Sequence, residues 1–145
     1  MDWTISNSKT PLDKPLVGGY GFVYLIEFID GKKYIGKKNF FTNRKRKFGK
    51  KELALMTDKR LKKYEYVTKE SNWKDYYSSN KDVVARVENG DDYRKHILVV
   101  AKSKKELTYL EESKLFLHRV LFNKSYYNDN IAGRFFTKDV SGWEN

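Results

Sequence analysis

Three parts of the sequence hold residues whose types and spacing could do chemistry. Tyr24 and Tyr34 stand in the short clusters FVY and YIG of the stretch 19–51, GYGFVYLIEFIDGKKYIGKKNFFTNRKRKFGKK, whose second half is densely basic. A phenol with its ordinary pKa of about 10 is a poor base, so a catalytic tyrosine needs a cation beside it to stabilise the phenolate. Lys37, Lys38 and Arg44 follow closely enough in the chain to supply one. The third part is downstream, where Glu111 lies in KKELTYLEESKLFLHRVLF. On a helical wheel with Leu107 at zero, Leu117, Leu110, Leu121, Phe122 and Leu115 fall at about 280°, 300°, 320°, 60° and 80°. Glu111 falls at about 40°, inside this apolar stripe, and Glu112 at about 140°, near its edge. An ionised carboxylate facing a core is costly unless it is paired, hydrogen-bonded or bound to a metal. Glu111 therefore either pairs locally, with Lys114 or His118, or marks a place where the stripe ends at a cleft.

The elements that must position these groups can be read from the same sequence. FVYLIEFI is a nearly continuous run of β-formers, Asp30-Gly31 is a turn signal, and KKYIG is a short returning strand. A two-residue type I′ turn would pair Ile29 with Lys32 and send Tyr24 and Tyr34 to opposite faces. A type I turn with Gly31 as a left-handed bulge residue would pair Phe28 with Lys32 and put Tyr24, Ile26, Tyr34 and Gly36 on one face. The sequence permits both turns, and an active site shared by the two tyrosines requires the second.

Further along, the spacing predicts a helix over 81–88, capped by Ser79 or Asn80 and stopped at Gly90. It also predicts a buried strand at HILVVA and a helix from the Ser103/Glu106 capping box to about Phe122. A last loop contains YYN and a possible closing strand. The segment KELALMTDKRLKKY has some helical periodicity but equally suits a loop that orders on its ligand. Trp73, Tyr76 and Tyr77 read as core aromatics rather than a stacking platform. The fold class expected is α/β in the α+β sense, a small, mainly antiparallel central sheet flanked by helices. Residues 1–19 read as an extended arm, and 20–145 as a single domain with a basic insert at about 37–70.

Composition narrows the partners. In 145 residues there are 30 Lys and Arg against 19 Asp and Glu, a net charge of +11, and 16% of residues are aromatic. Such a surface suits a polyanion, since cations neutralise phosphates and rings can stack on bases. No cysteine is present, which excludes disulfides and Cys-ligated zinc. His96 and His118 are isolated and form no H-x-x-x-H metal pair. No apolar run approaches the roughly 20 residues of a membrane span, and the N-terminus lacks the pattern of a signal peptide. The expectation is a cytoplasmic protein with no membrane partner, acting as a monomer or homodimer.

FVY, KKYIGKK, the helical glutamate in YLEESK and the later YYN together resemble the GIY-YIG nuclease family, from about Gly21 to Gly133, and are most similar to its small stand-alone phage members. The resemblance makes Tyr24 and Tyr34 the two motif tyrosines, Glu111 the metal-binding glutamate and Asn128 the late asparagine. It makes Arg44, eight residues past the motif glycine, the arginine that clamps the scissile phosphate, although Arg46, Arg60, Lys37 and Lys38 compete for the part of essential cation. Two positions depart from the family pattern. Phe22 and Val23 replace the Gly and Ile of the first motif, and Phe48 stands where a histidine is often found.

The implied activity is a metal-dependent DNA endonuclease that hydrolyses phosphodiester bonds with one ion, Mg²⁺ or Mn²⁺, held by Glu111. Tyr24 would be the general base and Tyr34 would orient water or phosphate. Asn128 would fix local backbone or a substrate contact. Lys37, Lys38, Lys45, Arg46, Lys47, Lys50, Lys51 and Arg60 would bind DNA. The alternative is a non-catalytic nucleic-acid-binding module that keeps the fold.

Overall fold

The computed structural model describes residues 1–5, 8, 10–58 and 60–140. Positions 6, 7 and 9 of the expected arm and the last five residues of the expected domain lie outside these. The chain divides into two compact units, one formed by Met1–Phe40 with the chain from Asn72 onward, the other by Phe41–Ser71.

The first unit is built on a four-stranded sheet. Its strands are β1 (Trp3–Ile5), β2 (Gly21–Phe28), β3 (Lys33–Asn39) and β6 (Tyr93–Ala101), in the order β1-β6-β2-β3. β1 runs parallel to β6 and the other pairings are antiparallel. Alternation along β2 divides the core in two. Phe22, Tyr24, Ile26 and Phe28 face one side with Trp3, Phe40, Trp73, Ile97 and, from helix α2 (Lys81–Glu88), Val83. Val23 faces the other side with Ile35 and Ala101, where Leu107 and Leu115 of α3 (Lys104–Leu117) pack. A mainly antiparallel sheet flanked by helices is the α+β architecture expected from the sequence.

Both helix starts follow their caps. The Asn80 side chain accepts from the backbone of Asp82 and Val83, and Ser103 Oγ accepts from the Glu106 amide at 3.1 Å. The Glu106 carboxylate returns to the amide of Lys102 rather than that of Ser103. α3 ends at Leu117, short of the expected Phe122, because Arg119 adopts φ +50 before a 3₁₀ turn at Val120–Phe122. Leu117, the last residue of α3 and placed in the apolar stripe by the wheel, is 69% exposed, whereas Leu121, beyond the helix, is 4% exposed.

The expected extended arm needs correction. Trp3 is 1% exposed, its ring lies 5.0 Å from Phe22 and 5.3 Å from Tyr24, and its Nε1 donates to Trp73 O at 2.6 Å. A single large aromatic draws the edge strand β1 into the core by the area it buries, a signal that periodicity over short polar flanks does not carry. Trp73 is fully buried, as expected of a core aromatic.

The Phe41–Ser71 unit holds β4 (Phe41–Lys47) paired antiparallel with β5 (Tyr64–Glu70), and the short helix α1 (Lys50–Ala54) between them. KELALMTDKRLKKY, for which the sequence leaves helix or loop open, holds most of α1, and the ribbon on either side of it is not anticipated. A short hairpin of β7 (Asn130–Ile131) and β8 (Phe135–Phe136) closes the described chain.

Candidate active site

The tyrosine pair depends on the turn between β2 and β3. Gly31 has φ +90, its amide donates to Phe28 O at 2.9 Å, and the Phe28 amide donates to Lys32 O at 2.8 Å. This is the type I turn with a glycine bulge, and it sets Tyr24 opposite Gly36 and Ile26 opposite Tyr34. Both phenols therefore project from one face, with ring centroids 6.3 Å apart. Arg86 of α2 secures the turn: Nη1 donates to both oxygens of Asp30, at 2.9 and 3.0 Å, and Nε to Asp91 at 2.7 Å. These bonds hold the Asp30 carboxyl below its ordinary pKa.

Gly36 has a steric reason. A methyl group there would lie 2.6 Å from Tyr24 Cζ, so the phenol crosses the β3 backbone only because residue 36 has no side chain. On the other flank of β2 the register to β6 shifts between Val23 and Tyr24, and a bulge of this kind re-aims the side chain beside it. The loop before α2 completes the face with Tyr76, edge-on to Tyr24 at 6.1 Å, and with Ser78, 7% exposed at φ +115. Neither residue was singled out for the site from sequence. Tyr76 was read as core, and a lone serine carries no periodic signal.

The electrostatics differ from expectation. Burial drives the Tyr24 pKa well above 10, with Tyr76 adding to the rise and the Ser78 hydroxyl opposing it. Tyr34 is pushed up to about 12, first by burial and then by the charge of Glu111, with Tyr76 and Asp129 adding to it. The cation assistance expected from Lys37, Lys38 or Arg44 is not among the main influences on either phenol. Lys38 shares the tyrosine face, but its ammonium is held 4.2 Å over the Tyr76 ring, and burial lowers its own pKa. Lys37, one residue earlier, points to the opposite face because strand side chains alternate.

On that opposite face Lys37 meets α3. Its Nζ donates to Thr108 Oγ1 at 3.2 Å and lies 3.9 Å from Glu111 Oε1. Glu111 thus pairs across to β3, not with Lys114 or His118. Burial raises its pKa and Lys37 partly offsets the rise. Because β3 is the edge strand, Glu111 still acts on Tyr34 from the other side of the sheet. His118 lies instead 3.4 Å from the Tyr126 hydroxyl, and His96 lies 3.4 Å from Glu27.

No group of three or more His, Cys, Asp or Glu capable of holding a metal exists among the described residues. One half-buried carboxylate is a donor set for a single hard cation that keeps most of its water, as Mg²⁺ does. It does not suit a zinc cage or a two-metal centre.

Asn128 has a definite task. Its Nδ2 donates to Ile35 O at 2.8 Å, and its Oδ1 accepts from Ile35 N at 3.0 Å. Beside it the Lys33 amide donates to Ser125 O at 2.7 Å, and the Tyr127 amide donates to Lys33 O at 2.8 Å. Residues 125–128 thereby satisfy the outward backbone groups of β3 that an edge strand would leave open. The Asn128 amide thus contacts local backbone at both its polar atoms.

The remaining expected site residues belong to the Phe41–Ser71 unit. Arg44, Lys45, Arg46 and Lys47 are exposed along β4, and Lys50 and Lys51 lie on α1. Arg46 is held by Glu52, at 2.9 and 2.8 Å, and by Glu65 at 2.8 Å; Arg60 is paired with Asp58. Arg44 has no carboxylate partner among the described residues, which leaves its planar fork of donors available.

Residues 3–131 match the family model described as "Putative endonuclease segE, GIY-YIG domain". No curated protein and no solved structure matches the chain. No helix among the described residues is long and apolar enough to cross a membrane.

Proposed function

The chain belongs to the GIY-YIG domain family of nucleases, and from that premise we propose that it is a metal-dependent DNA endonuclease hydrolysing phosphodiester bonds beside the tyrosine face of the β2–β3 hairpin. The observation that carries this reading is the hairpin register, which sets Tyr24 over Gly36 and brings Tyr34 onto the same face, within the field of Glu111.

Glu111 would hold one Mg²⁺ or Mn²⁺, which when bound supplies positive charge for the phosphate and for the departing oxygen. Tyr34, half-buried at the edge strand, orients the attacking water by hydrogen bonding. Tyr24 takes the proton. Burial raises the pKa of both phenols in the free protein, so Tyr24 can take that proton only after losing its own to solvent, a loss that positive charge beside it would favour. Lys38 is the cation already on that face. Arg44 offers two donors to a DNA phosphate, and Asn128 keeps the edge of β3 in register. Further lysines of the 41–71 unit, Lys47, Lys50 and Lys51 among them, hold the DNA backbone.

The test is nicking of supercoiled plasmid. Wild type with Mg²⁺ should convert it to open circles and chelator should stop this, while Glu111→Ala should cut at least about 100-fold more slowly. Undiminished cutting by Glu111→Ala would remove that residue from the mechanism.

The non-catalytic reading keeps one specific support, the departure of Phe22 and Val23 from the Gly and Ile of the family's first motif. Plasmid binding by wild type with no Mg²⁺-dependent nicking would favour it.

A further inference from the structure

The β4–β5 ribbon is exposed on both faces: all seven residues of β4 and all of β5 except Tyr64 are open to solvent. A lone two-stranded ribbon in water is marginal on its own account, so its length and charge call for a partner. The 31 residues of its unit hold eleven Lys and Arg against four Asp and Glu, which is +7 of the chain's +11. The complementary partner is a polyanion.

The two faces of the ribbon are not equivalent. One carries Arg46, already engaged by Glu52 and Glu65. The other presents two cross-strand pairs at its centre, Asn43 opposite Thr68 and Lys45 opposite Tyr66. Thr68 Oγ1 donates to Asn43 Oδ1 at 2.9 Å, a bond that uses neither the Asn43 amide hydrogens as donors nor the lone pairs of the Thr68 oxygen as acceptors. Lys45 Nζ sits 3.9 Å over the Tyr64 ring, and Tyr66 is 64% exposed.

We infer that this ribbon lies in the major groove of B-form DNA and reads base edges with Asn43, Lys45, Tyr66 and Thr68. The inference rests on the DNA reading of the proposed function and adds a specificity element to it. Dimensions support it. Two strands about 4.8 Å apart, each spanning roughly 23 Å, fit a groove about 12 Å wide, whereas the minor groove, about 6 Å wide, does not admit them. The major groove of duplex RNA is too deep and narrow. An Asn amide pairs with the adenine edge, a Lys with the guanine edge, and a Thr with either a polar edge or the thymine methyl.

The experiment uses the full chain in chelator, so that binding is read without cutting. Wild type is first used to select from a pool of duplexes randomised over about 16 base pairs, and the enriched duplex is then titrated by fluorescence anisotropy with methyl green as major-groove competitor and netropsin as minor-groove competitor. The expected results are an enriched motif and an apparent Kd raised about tenfold or more by methyl green but little by netropsin. The double variant Asn43→Ala with Thr68→Ala should lose about tenfold in affinity for that duplex, with an unchanged salt slope because neither side chain carries charge. A flat pool, displacement by netropsin instead of methyl green, preference for duplex RNA, or a double variant with wild-type affinity would each overturn the inference while leaving DNA binding intact. Failure to bind any duplex would overturn the DNA reading as well, so the two failures are separable.

Discussion

The two units place their aromatic and charged residues in opposite ways. In the sheet unit Trp3, Phe22, Tyr24, Phe28, Phe40 and Trp73 are buried together, and the buried ammonium of Lys95, 2% exposed, donates to Lys74 O at 2.8 Å beside the Trp3 ring. In the 41–71 unit Tyr66, Val67, Leu55 and Leu61 are exposed and charge dominates. The first unit fixes groups to within a fraction of an ångström by packing. The second holds its shape by a backbone ladder and ion pairs that water can replace, which suits a surface completed by its ligand. On the proposed function, geometry for chemistry would be stored where side chains are closely packed, and affinity for a polyanion where they are not.

That contrast can be broken most severely at Trp3. Trp3→Ala should cost about 3–5 kcal/mol by removing a filled core position and the Nε1 bond to Trp73. A thermal melt should report it, and Tyr66→Ala on the ribbon should move the same melt by about 0.5 kcal/mol or less. Equal effects would mean that the ribbon is as much part of the core as β1. A finer comparison uses two glycines. Gly36→Ala drives a methyl into the Tyr24 phenol, with an expected cost of about 1–3 kcal/mol from overpacking and a loss of nicking beyond what stability explains. Gly49→Ala, where the nearest atom to a new methyl is Glu52 Oε1 at 3.9 Å, should cost about 1 kcal/mol or less and leave the tyrosine face alone.

The sheet unit was also the more legible of the two. FVYLIEFI, the Asp30-Gly31 turn, the helix 81–88 with its Asn80 cap, and the Ser103 cap are local signals in which short-range preference and tertiary structure agree. The bulge at Gly31 could be named as one of two possibilities because only it lets Tyr24 and Tyr34 share a face. What sequence could not supply was long-range. Glu111 was visible as a misplaced carboxylate, but its partner Lys37 lies on β3 and periodicity within one helix points only to i+3, i+4 or i+7 neighbours. Ser78 and the burial that keeps the phenols neutral depend on a loop whose course no spacing rule describes. In the 41–71 unit the density of lysine and arginine masks the β-formers of FTNRK and YEYVTKE, and only KELALMTDKRLKKY between them carries a helix-or-loop reading.

Asn128→Ala comes next in size. Removing both bonds to the Ile35 backbone should cost about 1–3 kcal/mol. It should raise amide exchange at Ile35 and at the flanking residues of β3 while leaving β4 and β5 unchanged. Exchange that rises equally in the ribbon would show that the units do not respond separately.

The smallest effect concerns acid. Arg46 holds the Glu52 carboxyl below its ordinary pKa of 4.5 by hydrogen bonding. A carboxylate depressed by folding stabilises the fold above its unfolded pKa, and that contribution is lost as pH falls through the folded value. Both partners are exposed, so the pair contributes little and salt screens it. Lowering the pH from 6 to about 3, or adding about 1 M salt at pH 6, should therefore increase hydrogen exchange in residues 64–70 before the β2–β3 pairing changes. The Glu52→Gln variant should show faster exchange there already at pH 6 and a smaller response to acid. Acid that loosened β2–β3 first would mean that the Arg86 clasp on Asp30 and Asp91, which titrates with the same sign, is the weaker link. The division between a packed unit and a solvated one would then have to be redrawn around that turn.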